Sequence, residues 1–307
     1  MAHVFMSSGE MIADRRFDYG RDLELRGDLA GAAELFMQAI ELAPDFASAW
    51  FALGDVRERQ GDKTGAIGAF RRAKAANGAD FLGADLRLLR LTGGNLAAMS
   101  RQYVTKLYDQ YAPKFEQSLV GELGYRGPAL LFAAVTRTCE AQARPMSFHR
   151  AIDLGCGTGL AAQAFKNCID EFIGIDLSAE MIKRARATEL YKALETADAV
   201  EGLHHLADAS ADLVLAADMM IYIHDLAPLF IEAARVLKPG GLFAFTAETH
   251  DGDDVLLGAG LRFAQSEAHL RGLLGDAGFI VARIDNASIR TEREVPVPSL
   301  VLVASKA

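Results

Sequence analysis

Cysteine is scarce: Cys139, Cys156 and Cys168 are the only three in 307 residues, and no two form a CxxC pair. An odd, unpaired set excludes a disulfide framework and a structural zinc site built on spaced cysteines. It points to a reducing compartment, so the cytoplasm is expected. Basic charge is not in excess. The first hundred residues carry 12 Lys+Arg against 14 Asp+Glu and the remainder 20 against 27, for a net charge of −9. Neither half has the footprint of a nucleic-acid binder, and a neutral or cationic small substrate fits better. No apolar run reaches the roughly 18 residues of a membrane span. The opening "MAHVFMSSGEMIADRR" lacks the basic start and apolar stretch of a signal peptide, so none is expected.

What is present is a length that suggests two domains, with 51% hydrophobic and 24% charged residues, enough for a real core. The first third repeats itself. Gly20 and Gly54, Gly27 and Gly61, Asp28 and Asp62, Ala32 and Ala66, Phe36 and Phe70, and Ala39 and Ala73 are each 34 residues apart. Small residues at fixed places let antiparallel helices approach, Phe36 and Phe70 fill the gap between them, and Gly-Asp makes the turn inside each unit. Pro44 ends the second helix of the first unit. The pattern resembles tetratricopeptide repeats, expected at about 13–46 and 47–80 within a helical domain 1–100. A degenerate third unit at 81–100, in which "GNLAA" echoes "GDLAG", is expected to cap them and dock them onto the next domain. The repeats either bind a protein partner or form an appended lobe that shapes the mouth of that domain.

From residue 150 the pattern changes. "RAIDLG", "EFIGIDL", "ADLVLAAD" and "GLFAFTAE" read as strands with helical segments between most of them, the signature of a parallel sheet covered on both faces. "GFIVARID" and "VPSLVLVAS" are separated only by "NASIRTEREVPVP", read as a loop too short for a crossover helix, so they pair antiparallel. The expected fold is α/β: a doubly wound, mostly parallel seven-stranded sheet ending in an antiparallel hairpin, over residues 101–307.

The loop after the first strand, "DLGCGTG", is not the GxGxxG of dinucleotide sites, and it lacks the P-loop lysine and its Ser/Thr. Asp153 would repel a pyrophosphate and suits a ligand with a cationic group. Gly155, Gly157 and Gly159 let the backbone approach that ligand. Cys156 fills a place that needs a small side chain and is not read as a nucleophile.

Together with the segments downstream of it, this loop resembles the S-adenosylmethionine-dependent methyltransferases with a Rossmann-like sheet. The resemblance runs through "FIGIDLSAEMI", "ADLVLAAD" and "ARVLKPGGLFAFTAE", where Lys238-Pro239-Gly240-Gly241 is the turn. It implies S-adenosyl-L-methionine as cofactor. Asp176 would take the ribose hydroxyls, Leu177 or Met181 would pack on the adenine, and Asp198-Ala199 would meet its polar edge. Asp198 read alone is equally a helix N-cap. Upstream, "YDQYAPKFE" looks like the lid of ubiquinone/menaquinone-type small-molecule methyltransferases, and closer still to a bacterial group carrying N-terminal tetratricopeptide repeats. This resemblance implies a helical lid over 101–145. Tyr108 and Tyr111 on it would face the cofactor sulfonium, and Phe115 either joins them or is core.

Methyl transfer from a sulfonium needs alignment, dryness and sometimes a base. Candidate bases near the strand ends are Asp218, His224, Glu248 and His250, with Asp218 also at the cofactor edge. His224 is otherwise a residue at a helix start and His250 a surface-loop residue. No metal is expected: the His204-His205 pair reads as a solvated helix turn. After the fourth strand stands Asp218-Met219-Met220-Ile221 in place of [N/D]-P-P-[Y/F], which disfavours base-amine and glutamine-amide acceptors. Met219 to Tyr222 read as an apolar wall or as core. The expected activity is methyl transfer to a small molecule. The alternatives are a protein acceptor recruited by the repeats and a non-catalytic S-adenosylmethionine-binding protein, with a NAD-dependent oxidoreductase further off.

Overall fold

The computed structural model describes residues 4–78, 80–93, 99–115, 124–258, 260–292 and 295–307. The chain forms two compact units, residues 1–107 and 108–307.

The first unit is helical. Helices α1 (Met11–Leu25), α2 (Leu29–Leu42), α3 (Ala47–Arg59) and α4 (Lys63–Ala76) are followed by α5 (Ala84–Thr92) and α6 (Arg101–Tyr111). The division between the units falls inside α6, later than the expected boundary at 100. The repeat reading holds at side-chain level. A Cβ on Gly20 would stand 2.7 Å from Phe36, and one on Gly54 2.6 Å from Phe70, so only glycine admits each ring. Asp28 and Asp62 cap α2 and α4 by accepting from the amides of Gly31 and Gly65. The "GNLAA" echo lies outside the described residues, and α5 packs with the second repeat through Ala84 and Leu88.

The second unit carries the expected sheet. Strands β1 (Phe148–Leu154), β2 (Ile169–Asp176), β3 (Tyr191–Thr196), β4 (Ala211–Ala216), β5 (Leu237–Glu248), β8 (Phe279–Glu292) and β9 (Val295–Lys306) run in the order β3-β2-β1-β4-β5-β9-β8. The first five are parallel, and β9 pairs antiparallel with both β5 and β8. Buried Ile, Val, Leu and Phe fill both faces, as parallel strands between helices require. Lys238–Gly241 lies within β5, where the register with β4 slips between Ala211 and Leu213.

Three expectations change. The loop "NASIRTEREVPVP" is mostly strand: β8 extends to Glu292 and β9 starts at Val295. Pro296 and Pro298 are tolerated because they lie beyond Ser299, where the pairing of β9 with β5 stops. A short pair not foreseen, β6 (Val255–Leu257) with β7 (Phe263–Gln265), comes after β5. The lid reading of 101–145 is also too long. Residues 116–123 lie outside the described residues, and α7 (Gly127–Ala141) buries Leu131, Ala134, Val135 and Cys139 against the sheet. It is a covering helix.

Candidate active site at the carboxyl edge

The strand order reverses between β1 and β4, and an open α/β sheet offers its ligand crevice at such a point. The glycine loop leaves β1 there. Gly155, Gly157 and Gly159 all take positive φ (62°, 54° and 96°), a conformation natural to glycine. A Cβ on Gly155 would come within 2.9 Å of Met219 Cβ, so the loops after β1 and β4 are packed backbone to side chain.

Two carboxylates flank the loop. Asp153 is 1% exposed, and its Oδ2 accepts from the Tyr191 hydroxyl at 2.6 Å. Burial, together with the nearby Asp176 charge and against the tyrosine hydrogen bond, raises its pKa to about 7. Asp176 accepts from the amides of Gly157 and Ser178, each at 2.8 Å. Burial still lifts it to about 6, with Asp109 adding repulsion. Neither makes an ion pair among the described residues. Asp109 in turn accepts from Ser178 Oγ at 2.6 Å, which fixes the end of α6 to the turn after β2.

The other predicted cofactor residues separate. Leu177 is half-buried beside Asp176, whereas Met181 has no exposed surface at all, so only Leu177 is open to a ligand. Asp198 caps the short helix Ala199–His204 by accepting from the Val200 amide. The Ala197 amide donates to the Asp176 carbonyl, which sets Asp198-Ala199 next to the ribose candidate. Cys156 is buried against Ile182, Ala185 and Tyr191, and burial raises its thiol well above the usual range, consistent with a packing role.

Above the loop lies an aromatic group. The Tyr108 hydroxyl donates to the Tyr222 hydroxyl at 2.8 Å. Phe115 sits 6.1 Å from the Tyr108 ring and 5.6 Å from Tyr111, and a Cβ on Gly157 would touch it at 3.8 Å. Phe115 therefore belongs over the loop. Of the "wall" after β4, Met220 and Ile221 are core, while Met219 and Tyr222 are half-buried.

On the β4–β5 side the acids are paired. Asp218 takes a left-handed φ of 58°, and its amide donates to Thr246 Oγ1 at 2.8 Å. Arg290, 3% exposed on β8, donates to Asp218 Oδ1 and to Glu248 Oε1. Arg262 donates to Glu248 at 2.7 Å and pairs with Glu292. The base roles expected of Asp218 and Glu248 are corrected on this ground: both carboxylates are committed to a buried guanidinium. His224 stacks edge-on to Phe263 at 5.4 Å. His250 Nδ1 accepts from the Gly252 amide, leaving Nε2 buried without a hydrogen-bond partner. Neither histidine makes an ion pair among the described residues. His204 and His205 face separate glutamates, Glu232 and Glu195.

Two side chains, Tyr191 and Arg290, escaped the sequence reading, and Tyr125 was read only as one of the lid aromatics. Tyr191 begins a polar strand, and its only signal was an isolated aromatic. Arg290 lay in the presumed loop. Tyr125, near enough to feel Asp218, Arg290 and Asp153, is followed by Arg126, whose amide donates to the Ile289 carbonyl at 2.8 Å.

Residues 152–245 match the methyltransferase domain family, and residues 18–80 match the tetratricopeptide repeat family. Among curated proteins the chain is similar to a ubiquinone biosynthesis O-methyltransferase of Xylella fastidiosa, 34% identical over 33% of this chain and 43% of the relative. It is also similar to a malonyl-[acyl-carrier protein] O-methyltransferase of Enterobacter lignolyticus, 31% identical over 50% and 56%. The chain thus spans about half the length of the curated relatives it matches. A solved neighbour is the magnesium protoporphyrin IX methyltransferase of Synechocystis with bound S-adenosylmethionine. It is 16% identical with a TM-score of 0.50, covering 70% of this chain and all (100%) of the neighbour, and the likeness is one of fold. Glycine loop, sheet order and terminal hairpin agree with these likenesses: residues 152–245 carry a methyltransferase domain, preceded by tetratricopeptide repeats over residues 18–80.

Proposed function

We propose that the protein transfers a methyl group from S-adenosyl-L-methionine to an oxygen of a small molecule. The observation that carries this is the pair of buried, cation-free carboxylates, Asp153 and Asp176, on either side of a left-handed glycine loop. Such a pair repels phosphate and gains from a ligand that brings an ammonium group and hydroxyl donors. S-adenosylmethionine has both, and its sulfonium supplies an already activated methyl group.

Each residue of the site then has a role. Gly155, Gly157 and Gly159 cradle the amino-acid end, with Asp153 behind them. Asp176 retains lone pairs for the ribose, Leu177 lies against the adenine, and Asp198-Ala199 offers an acceptor and a first-turn amide to its edge. Tyr108, Tyr111 and Phe115 exclude water and present ring faces to the sulfonium. His224 and His250 are the candidate proton acceptors. An oxygen acceptor rests on relatives named as O-methyltransferases. The unpaired cysteines suit the cytoplasm as the working compartment.

Calorimetry with S-adenosylhomocysteine and with NAD tests this. Binding of the first alone, weakened at least tenfold in Asp176→Asn, is expected. NAD binding in its place would overturn the reading.

A further inference from the structure

The repeats already hold a peptide: their own chain. Residues 4–8, which precede α1, cross the first helices of both repeats. Val4 is buried with Ala47 and Phe51. The Phe5 ring lies 5.3 Å from Phe17 and 6.3 Å from Phe46. One hydroxyl, Ser48 Oγ on α3, accepts from the Met6 amide at 2.9 Å and donates to the Met6 carbonyl at 3.0 Å. Both main-chain groups of one residue are thus read without regard to its side chain. Ser7 and Ser8 then close on Asp14 of α1, with the Ser8 amide donating at 2.8 Å.

A simple cap would cover the open end of a helical array. This segment instead bridges α1 and α3 and reaches Asn77 past α4, whose amide nitrogen lies 3.5 Å from Met6 Sδ. Beside Val4 and Phe5 it leaves a cavity of about 190 Å³, bounded by Phe17, Arg21, Phe51 and Asp55. The Asp55 side chain is 7% exposed. Arg87 Nη2 lies 2.9 Å from its Oδ1 but out of line for a hydrogen bond, so Oδ1 and Arg87 Nε are both buried without a hydrogen-bond partner. An unsatisfied buried acceptor of this kind is costly and marks the place of a donor.

We propose that this face is a peptide-binding groove in which residues 4–8 act as a tethered, displaceable ligand. The partner it takes is a segment that pairs an apolar with an aromatic residue at the places of Val4 and Phe5 and carries a basic side chain just before them, reaching Asp55. The tether gives the internal segment an effective concentration of about millimolar, so an external peptide competes at a disadvantage.

The test uses fluorescence anisotropy of two labelled peptides, AHVFMSSG (residues 2–9 of this chain) and KKVFMSSG. They are titrated into the full chain and into Phe5→Asp, which ejects the segment. Both peptides are expected to bind Phe5→Asp at least about tenfold more tightly than the full chain, as the tether argument requires. KKVFMSSG should be the tighter of the two, and adding Asp55→Asn should remove its advantage. Adding Ser48→Ala should weaken both. Equal binding to full chain and variant, or none to either, overturns the proposal. Hydrogen exchange on the unaltered chain decides the matter should Phe5→Asp fail to fold. Excess KKVFMSSG accelerates exchange at the amides of residues 4–8 if the segment is displaced, and unchanged exchange refutes it.

Discussion

The two flanks of the glycine loop treat their acids in opposite ways. Toward β5 and β8, Asp218 and Glu248 share the guanidinium of Arg290, and Arg262 extends the set to Glu292. Toward β2 and β3, Asp153 and Asp176 have only neutral donors: a tyrosine hydroxyl and two amides. The first flank is electrically finished and holds a strained turn at Asp218 in place. The second is left short of positive charge and hydroxyl donors in the apo chain, which is where a ligand has something to gain. A buried acid with its partner built in is architecture; a buried acid without one is a vote for a ligand.

The strongest way to break this contrast is to remove the cation from the finished flank. Arg290→Met is expected to destabilise the chain by about 3–5 kcal/mol, because it strands the buried Asp218 and leaves Glu248 with Arg262 alone, and urea denaturation reads the loss. A loss below about 1 kcal/mol would mean that water reaches the pair.

Next comes the unfinished flank. Asp153 keeps its proton to about pH 7 when folded but only to its usual value of 3.8 when unfolded. Its contribution to stability is full below the unfolded value and is lost as pH rises through the folded one, because the folded chain binds the extra proton in that window. At about 1.4 kcal/mol per pKa unit, the apo chain should lose on the order of 2–4 kcal/mol between pH 4 and pH 7. Asp153→Asn should make the fall shallower, leaving the part that Asp176, lifted to about 6, contributes, and saturating S-adenosylhomocysteine should restore stability most at the upper end. A melting temperature that climbs across this range in the wild-type chain and not in Asp153→Asn would contradict the assignment.

Gly155→Ala forces a Cβ against Met219 at a left-handed φ. A cost of about 1–3 kcal/mol is expected, along with loss of S-adenosylhomocysteine binding by calorimetry. The smallest effect should come from Tyr108→Phe, which removes the hydrogen bond to Tyr222. It is expected to cost about 1 kcal/mol while leaving the ring over the loop and ligand affinity within a few-fold.

Much of the scaffold was legible because it is written in local pattern. The 34-residue period, the glycine spacing and the alternation of strands with helices each depend on neighbours in sequence, and the repeats, the loop and the mostly parallel sheet with its terminal hairpin came from them. Asp153 and Asp176 were legible for the same reason, since one stands a residue before the end of β1 and the other ends β2. What stayed hidden depends on distant register. "SIRTE", residues 288–292, shows no clear apolar alternation, and it is a strand only because β9 pairs with it. That pairing alone brings Arg290 to Asp218. Tyr191 looked unremarkable until the pairing of β2 with β3 placed its ring beside Gly174 and its hydroxyl on Asp153. The choice between Leu177 and Met181 was open in the sequence, and the helix turn after Asp176 sends Met181 inward.

The shared guanidinium also constrains how this sequence can drift. Any change at Arg290 orphans Asp218 and leaves Glu248 to Arg262 alone, whereas neutralising Asp218 or Glu248 first makes the arginine progressively dispensable. The order of substitutions therefore matters more than their sum. A chain carrying Asp218→Asn and Glu248→Gln should tolerate Arg290→Met far better than the parent does, so these three positions, up to 72 residues apart, are heritable as a unit.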